Sequence, residues 1–264
     1  MSKCWCSIAP APWSVAVTTR ILILGGTGEA RLLAYRFAGH DDLVVTTSMA
    51  GRTKTPRVPA GTLRSGGFGG PEGLADYLTD EAIDMLIDAT HPFAAQISAN
   101  AARACLVSDV PRLMLIRDPW VAAPGDRWIE AADTEDAARR LTAFSGPVFL
   151  AIGRQELAAF AGLGDLHFVL RMVDRPDGPL PISNAKVLRG RGPFLLASEK
   201  ALLAKHQIAV LVVKNAGGES GHAKLVAAAE SGLPVIMIRR PDLPDGERVE
   251  TVDAALAWVE ERTH

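Results

Sequence analysis

Cysteine and tyrosine are scarce in this sequence, and their scarcity argues against several classes of protein. The three cysteines among 264 residues, Cys4, Cys6 and Cys105, form no CxxC pair and no metal-ligand spacing with histidine. We therefore expect no disulfide framework and no metal site, and the odd count favours a reducing compartment, the cytoplasm. The two tyrosines, Tyr35 and Tyr77, have no lysine four residues later, which argues against a short-chain dehydrogenase.

A large net charge and long apolar runs are also lacking. Lysine and arginine total 28 and aspartate and glutamate total 30, so the formal net charge is -2. Such a chain has no general attraction for nucleic acid or anionic lipid, and an anionic ligand must be bound by local groups of cations. Apolar runs such as residues 208–213 fall far short of the ~20 residues that span a bilayer. We expect no nucleic-acid partner and no membrane span.

The sequence does contain short β-branched runs that alternate with helical stretches, which is typical of parallel sheets covered on both faces. Residues 1–19 precede this pattern, and Pro10 and Pro12 interrupt their mildly apolar run. We predict a disordered extension there rather than a signal peptide. The predicted strands lie near 21–24, 43–47, 83–88, 112–116, 147–151, 167–171, 209–213 and 234–238.

Two prolines and a glycine interrupt the alternation between Asp118 and Asp126, which indicates a domain boundary. We predict an α/β protein of two Rossmann-like or flavodoxin-like domains, residues 20–122 and 123–264, with a ligand cleft between them. The alternative is one continuous sheet with a long crossover. Because open parallel sheets bind ligands beyond the carboxyl ends of their strands, two such sheets would share a ligand in the cleft.

The first strand leads into a glycine-rich turn, Gly25-Gly26-Thr27-Gly28, at the start of a helix. Glycines there let the backbone approach a pyrophosphate, whose charge is met by the amide groups and dipole of the helix start. A strict GxGxxG pattern would need glycine at Arg31, so tight packing alone is the alternative explanation. The turn predicts a nucleotide cofactor bound at these four residues.

The end of the second strand indicates which dinucleotide is bound. An NAD site places an acidic residue there for the ribose 2'-hydroxyl, but here the strand runs into Ser48 and then Arg52. A hydroxyl and a guanidinium are suited to a 2'-phosphate, so NADPH is preferred over NADH. The alternative is a solvated basic loop, because Lys54 and Arg57 lie close by.

A second strand-to-helix turn, within Asp88–Ala95, presents Thr90 and His91 beside the same cleft. Pro92 disfavours helical geometry for the residue before it, so we expect His91 at the helix N-cap and Pro92 at the first helical position. The positive end of a helix disfavours a protonated histidine. We therefore predict a neutral His91 that hydrogen bonds to cofactor or substrate, with a purely structural histidine as the alternative.

In the second half of the chain, basic side chains recur where strands end. Lys214 leaves an apolar strand, and Asn215 and Gly217 follow it as candidate parts of a cradle for an acidic ligand. Arg154 occupies the equivalent place after another strand, and Arg191 lies in a basic loop. The further arginines of this kind are Arg171 and Arg189. Each arginine taken singly is explained equally well as solvated.

Five segments together resemble the precorrin-6A reductase family of cobalamin biosynthesis, over about residue 20 to Pro241. They are Ile-Leu-Gly-Gly-Thr-Gly-Glu-Ala at 23–30, Gly-Gly-Phe-Gly-Gly at 66–70, Asp-Ala-Thr-His-Pro-Phe-Ala at 88–94, Arg-Gly-Pro-Phe at 191–194 and Lys-Asn-Ala-Gly-Gly at 214–218. The first segment alone is common to many proteins. The ordered set, above all the segment around His91, is specific.

The resemblance implies an NADPH-dependent reduction of the double bond between carbons 18 and 19 of precorrin-6A to give precorrin-6B. Because that tetrapyrrole carries several carboxylates, it needs distributed cations, and His91, Arg154, Arg191, Lys214, Asn215 and Gly217 are the candidate substrate-binding residues. His91 and Lys214 are candidate proton donors, and water is an equal alternative. Transient contact with neighbouring pathway enzymes is a further expectation. The alternatives are a cobalt-precorrin-6A reductase and a non-catalytic NADPH sensor.

Overall fold

The protein consists of two parallel β-sheets flanked by helices. A computed structural model describes residues 18–50, 59–174 and 178–263. Within those ranges the strands are β1 (Thr19–Leu24), β2 (Leu43–Met49), β3 (Thr62–Ser65), β4 (Met85–Asp88), β5 (Arg112–Leu115), β6 (Trp128–Ala131), β7 (Val148–Ala151), β8 (Phe168–Met172), β9 (Ala185–Arg189), β10 (Val210–Lys214), β11 (Val235–Ile238) and β12 (Glu247–Val249). The helices are α1 (Gly28–Phe37), α2 (Pro71–Asp80), α3 (Ala95–Ser108), α4 (Thr134–Leu141), α5 (Leu196–Lys205), α6 (Ala223–Glu230) and α7 (Val252–Glu260).

The first sheet has the order β12-β5-β4-β1-β2-β3, and its strand pairs are parallel. β1 lies inside the sheet, and its run from Ile21 to Leu24 is at most 3% exposed. A strand with both faces buried has no polar alternation, which explains its continuous apolar sequence. Ile21 and Ile23 pack under α1 and α7, and Leu22 and Leu24 pack under α2 and α3.

The second sheet has the order β6-β11-β10-β7-β8-β9, again with parallel pairs. Its central strand, β10, is buried on both faces from Val210 to Val213. Two apolar clusters, one on each face, cover this sheet. The predicted α/β class with two parallel sheets is confirmed.

The first sheet receives one edge strand, β12, from the second half of the chain. β6 follows β5 in sequence but pairs with β11, and β12 follows β11 but pairs with β5. The helix after β12 packs on the first sheet too, because Trp258 and Val259 share a cluster with Leu33 and Phe37 of α1. The predicted limits 20–122 and 123–264 assign residues 247–260 to the second domain, whereas these residues pack on the first sheet. We call β12 the returning edge strand.

The eight predicted strands are present, within two residues of the observed limits. The prediction missed β3, β6, β9 and β12, which lie at or next to the sheet edges and are short or half exposed. Thr19 already belongs to β1, and the rest of the predicted extension, residues 1–17, lies outside the described residues. In the described part of the chain, no helix is both long and apolar enough to cross a membrane.

Candidate active site

Loops at the carboxyl ends of both sheets line one cleft, as open parallel sheets favour. The cleft contains two adjoining cavities of about 580 and 790 Å³. The first sheet contributes the turn after β1 and the residues after β4, and the second sheet contributes the loops after β7, β8, β9 and β10. The residues that line both cavities include Gly26, Thr27, Gly28, His91, Arg171 and Lys224.

The three glycines of the turn after β1 have different roles. A Cβ on Gly25 would lie 2.9 Å from Thr47 Cγ2, so this glycine allows β1 and β2 to pack closely. Gly26 has a φ of +119°, which favours glycine. A Cβ on Gly26 or Gly28 would meet no atom within 4 Å, and both residues line the cleft. The open space at these two positions is what a phosphate approaching the helix start requires.

Thr27 fixes the position of this turn. Its hydroxyl accepts a hydrogen bond from Ala30 N at 3.1 Å, which caps α1, and donates one to Ala89 O at 2.7 Å. The second bond joins the start of α1 to the end of β4, so the two turns predicted to hold the cofactor are connected. Because the hydroxyl hydrogen is already donated to Ala89 O, the donor of Thr27 that remains for a ligand is its backbone N–H.

Of the two residues predicted to bind the 2'-phosphate, Ser48 and Arg52, only Ser48 lies in the described part of the chain. Ser48 is buried at the end of β2, and Arg64 of β3 lies opposite it in the register. Arg64 Nη1 is 3.3 Å from Ser48 Oγ, and the guanidinium lies 3.7 Å from the centre of the Phe68 ring. Arg52 lies outside the described residues. Arg64 therefore places a guanidinium beside Ser48 at the end of β2, although neither residue is among those that line the two cavities.

Thr90 does not line either of the two cavities. Its backbone N–H and its hydroxyl both donate to Asp88 Oδ1, at 3.1 and 2.7 Å. Asp88 is 4% exposed, and its Oδ2 has no partner in the structure. The Thr90 side chain thus hydrogen bonds to a buried carboxylate, whereas the sequence predicted that it contacts the cofactor.

His91 lines both cavities, as predicted, but it is not a helix cap. Helix α3 begins at Ala95, and its N-cap residue is Ala94. The residues after His91 form a tight turn instead, in which Ala94 N donates to His91 O at 2.7 Å and Phe93 N donates to His91 Nδ1 at 3.2 Å. The imidazole thus does locally what a capping side chain does, which is why the sequence resembles a helix start.

The predicted neutral state of His91 is retained, for a different reason. Desolvation within the cleft, followed by the charges of Arg117, Lys214 and Arg240, lowers the pKa of His91 to about 4. Desolvation is the larger cause, and the three nearby cations add to it. Because Nδ1 accepts from Phe93 N, the neutral ring carries its hydrogen on Nε2. His91 is therefore a hydrogen-bond donor to a ligand in the cleft.

Lys214 lies in the larger cavity at the end of β10. Its ammonium forms an ion pair with Glu156, from the turn after β7, and lies 4.6 Å from the centre of the Phe93 ring. Phe93 comes from the first half of the chain but packs against the apolar cluster of the second sheet. Lys214 therefore sits where the two halves meet, with its charge already balanced by a carboxylate.

Asn215 is not part of the predicted cradle. Its Oδ1 accepts from Trp120 N at 2.8 Å, and its Nδ2 donates to Trp120 O at 2.9 Å, so both ends of the amide are used. Gly217 lines the cleft, but a Cβ there would overlap the carbonyl of Asp118. These two residues hold the connection between β5 and β6 against the loop after β10. Local sequence did not reveal this pairing because the partners are almost 100 residues apart.

Two arginines complete this junction, which we call the crossover latch, formed by Arg117, Asn215, Arg240 and their partners. Arg117 Nε donates to Ala216 O and Gly217 O, each at 2.9 Å. Arg117 Nη1 forms an ion pair of 2.8 Å with Glu29 in the first turn of α1. Arg240 Nη1 donates to Arg117 O at 2.8 Å. The latch thereby joins the start of α1 to the loops of the second sheet.

Cations from the second sheet form the opposite wall of the cleft. Arg171 forms a 2.8 Å ion pair with Glu199, which is 1% exposed, and stacks 3.5 Å from the centre of the Phe194 ring. Arg191 lines the smaller cavity and Arg154 the larger one, as predicted. The wall can therefore receive an acidic ligand at several points.

Comparison with known proteins gives the family. The model described as "Precorrin-6x reductase CbiJ/CobK" matches residues 20–260. The chain belongs to this precorrin-6x reductase family. The precorrin-6A reductase of Rhodococcus erythropolis is 49% identical over 242 residues, 91% of this chain and 97% of that protein. The cobalt-precorrin-6A reductase of Priestia megaterium is 30% identical over 249 residues, 88% of this chain and 95% of that protein.

A solved structure, "CobK precorrin-6A reductase", has the same fold. It superimposes with a TM-score of 0.88 at 44% identity and covers 92% of this chain and 97% of its own. Membership of the precorrin-6x reductase family implies a nicotinamide cofactor as the source of electrons. The first-sheet side of the cleft fits a dinucleotide, because Gly26 and Gly28 leave open space at the start of α1.

Several residues in or beside the cleft of this precorrin-6x reductase were missed from the sequence. They are Arg64, Arg117, Glu199 and Lys224. Arg64 and Arg117 occur in segments without a turn motif, and Glu199 and Lys224 begin ordinary-looking helices. A charged residue in the first turn of a helix is usually solvated, and only tertiary packing distinguishes the buried ones. A weak signal existed for Arg64, because the Gly-Gly-Phe-Gly-Gly segment begins two residues after it.

Proposed function

We propose that the protein catalyses the NADPH-dependent reduction of precorrin-6A to precorrin-6B, at the double bond between carbons 18 and 19. The observation that carries this proposal is the shared cleft. The phosphate-sized opening at Gly26 and Gly28 faces a wall of cations from the second sheet across the same cavities. A cofactor on one side and an acidic tetrapyrrole on the other would therefore be in contact.

NADPH as the cofactor is supported by the end of β2. Among the described residues, Ser48 and Arg64 meet there, and neither is acidic. A guanidinium forms bidentate, charge-assisted hydrogen bonds with a phosphate, whereas a ribose 2'-hydroxyl is usually bound by a carboxylate. Arg64 is held by carbonyls of Gly66 and Gly67, at 2.8 and 3.0 Å, so it is preorganised. We propose Arg64, with Ser48, as the site of the 2'-phosphate, and Arg52 stays a prediction.

The metal-free tetrapyrrole as substrate is supported by the relatives. The chain is 49% identical to a precorrin-6A reductase and 30% identical to a cobalt-precorrin-6A reductase, with similar coverage. The candidate contacts for its carboxylates are Arg154, Arg171, Arg191 and Lys214, which are distributed along the wall. Distributed cations match the several acetate and propionate groups of this substrate.

The roles of the side chains follow from their positions. The bound dinucleotide would supply a hydride to carbon 19, and the protein mainly positions the two molecules. The amide groups at the start of α1 hold the pyrophosphate, and neutral His91 donates a hydrogen bond from Nε2 in the middle of the cleft. Arg171, fixed by Glu199 and Phe194, orients one substrate carboxylate. A cytoplasmic location and transient contact with neighbouring pathway enzymes stay predictions.

The proposal is tested by following NADPH absorbance after anaerobically prepared precorrin-6A is added to the purified protein. We expect stoichiometric oxidation and a gain of two hydrogens in the mass of the tetrapyrrole. Parallel reactions with cobalt-precorrin-6A and with NADH test the metal-free substrate and the cofactor preference. Bound NADPH that is not oxidised with either tetrapyrrole would refute the reductase and support the sensor. Faster turnover of the cobalt form would overturn the choice of substrate.

A further inference from the structure

Lys224 is a cation in the cleft to which no role has been assigned. It lies at the second position of α6 and lines both cavities. Its ammonium donates to Gly221 O at 2.7 Å and lies 5.5 Å from the centre of the Trp120 ring. Among the described residues, no carboxylate lies within 4.0 Å of this nitrogen. Lys224 is thus held in place by a neutral carbonyl and an aromatic ring.

The charged groups around Lys224 leave its positive charge poorly compensated. Glu199 of α5 is the carboxylate that favours the charged form of Lys224, but one of its oxygens is already paired with Arg171 of β8. Arg171 itself repels the ammonium. Desolvation, only partly offset by Glu199 and reinforced by Arg171, lowers the pKa of Lys224 to about 8. At neutral pH the side chain is therefore still protonated, but it releases its proton more readily than an ordinary lysine.

The two proton donors expected from the sequence are less suited to this task. His91 is neutral, and its Nδ1 is occupied by Phe93 N. The ammonium of Lys214 forms an ion pair with the Glu156 carboxylate, which fixes the direction in which the ammonium points. Of these three groups in the cleft, Lys224 alone combines a cationic state with the absence of an ion pair.

We propose that Lys224 is the acid that protonates carbon 18 of the substrate, an inference that rests on the proposed function. When hydride arrives at carbon 19, the electron pair of the double bond remains at carbon 18 and forms a bond to hydrogen. That proton comes from Lys224 Nζ, whose N–H bond breaks and leaves a neutral amine. The amine then takes a proton from water through the open mouth of the cleft, and no further oxidant or reductant is consumed.

The Glu199 carboxylate acts as a positioning group in this scheme. Among the described residues, no group hydrogen bonds to its second oxygen, Oε2, which is buried, and the negative charge of Glu199 favours the protonated form of Lys224. Glu199 thereby keeps enough positive charge on Lys224 for it to be an acid at neutral pH. If Glu199 carried no negative charge, the pKa of Lys224 would be lower still. Lys224 would then be deprotonated at neutral pH and could not donate a proton.

The test compares Lys224→Met and Lys224→Arg with the native protein. Methionine keeps the apolar stem without the proton, and arginine keeps the charge but does not release its proton at these pH values. We expect kcat to fall at least about 100-fold in both variants, the low end of what general acid catalysis contributes, with Kd for NADPH changed less than threefold. The control is Lys200→Met, on the exposed surface of α5, which should keep the native kcat.

The pH dependence and a direct titration complete the test. In the native protein kcat should fall as pH rises through about 8, because the protonated form is active, and this alkaline limb should be absent from Lys224→Arg. With only seven lysines in the chain, ¹³C-labelled lysine side chains should show one signal that titrates near pH 8 and is missing from Lys224→Arg.

The outcomes separate the two proposals. A native protein that does not reduce precorrin-6A refutes the proposed function and this inference with it. An active native protein whose Lys224→Met variant keeps kcat within threefold refutes only the role of Lys224. A Lys224 signal, identified by its absence from Lys224→Arg, that titrates above pH 10, or an alkaline limb that persists in Lys224→Arg, also overturns it.

Discussion

Arg64 gives the sharpest test of the cofactor site, because the same side chain should matter for one dinucleotide and not for the other. Arg64→Ala removes a guanidinium fixed by two backbone carbonyls and by stacking 3.7 Å from the centre of the Phe68 ring. A group already held in place loses little entropy when it binds a phosphate. We therefore expect the loss to lie in the upper part of the range for charged hydrogen bonds, about 2 to 3 kcal/mol.

That free energy corresponds to a roughly 30- to 150-fold higher Kd for NADPH. The same substitution also releases the carbonyls of Gly66 and Gly67, and this structural effect would weaken NADH and NADPH alike. The ratio of the two dissociation constants cancels the shared part. We would measure both by fluorescence titration, in the native protein, in Arg64→Ala and in Arg64→Lys, which retains a charge without the bidentate geometry.

A matched control is available on the same half of the protein. Arg103→Ala removes an exposed arginine that pairs with Glu72 on the neighbouring helix, and neither dissociation constant should change. The lysine variant should be intermediate, so we expect Arg64→Lys to lose about 1 kcal/mol toward NADPH. Equal weakening of NADPH and NADH in Arg64→Ala would show that Arg64 supports the loop and does not bind the 2'-phosphate.

Gly28→Val should abolish NADPH binding with little change in melting temperature, because its Cβ would meet no protein atom within 4 Å; normal affinity by titration would contradict the phosphate turn. Asn215→Ala removes two hydrogen bonds to the buried backbone of Trp120, and urea unfolding should show a loss of about 1 to 3 kcal/mol. Lys214→Ala should raise KM for precorrin-6A in steady-state assays, and unchanged kinetics would remove its role. The lowered pKa of His91, about 4, means that protonation opposes folding as pH falls below about 6.5. The melting temperature of His91→Asn should therefore fall less than that of the native protein between pH 6.5 and pH 4.5.

The central strands and the phosphate turn were predictable from sequence because their causes are local. The apolar run from Ile21 to Leu24 predicts the burial of β1, and the glycines after it predict the open start of α1. Local pattern misled at His91, because a proline that follows a polar residue marks tight turns as well as helix starts. A tight turn and a helix start can begin with the same residues, and here the hydrogen bond from Phe93 N to His91 Nδ1 identifies the turn.

The parts of the site that escaped prediction depend on contacts between distant segments. Asn215 looked like part of a ligand cradle because its partner, Trp120, lies 95 residues away. Glu199 is buried because α5 packs it against Arg171 of β8, which is distant in the sequence. In the same way, β12 has only three residues, and nothing in them indicates that they pair with β5 in preference to a strand of the second sheet.

The returning edge strand determines when the first half of the protein is completed during synthesis. Arg112, at the start of β5, donates to the carbonyl of Asp245, 133 residues later in the chain. Until the ribosome has released the last residues, the edge of β5 is unpaired and the core of the first sheet lacks α7. Unpaired strand edges and exposed apolar surface promote aggregation of nascent chains. A chain that ended between residues 239 and 246 would therefore contain every strand of the second sheet but would lack β12 and α7, which complete the first.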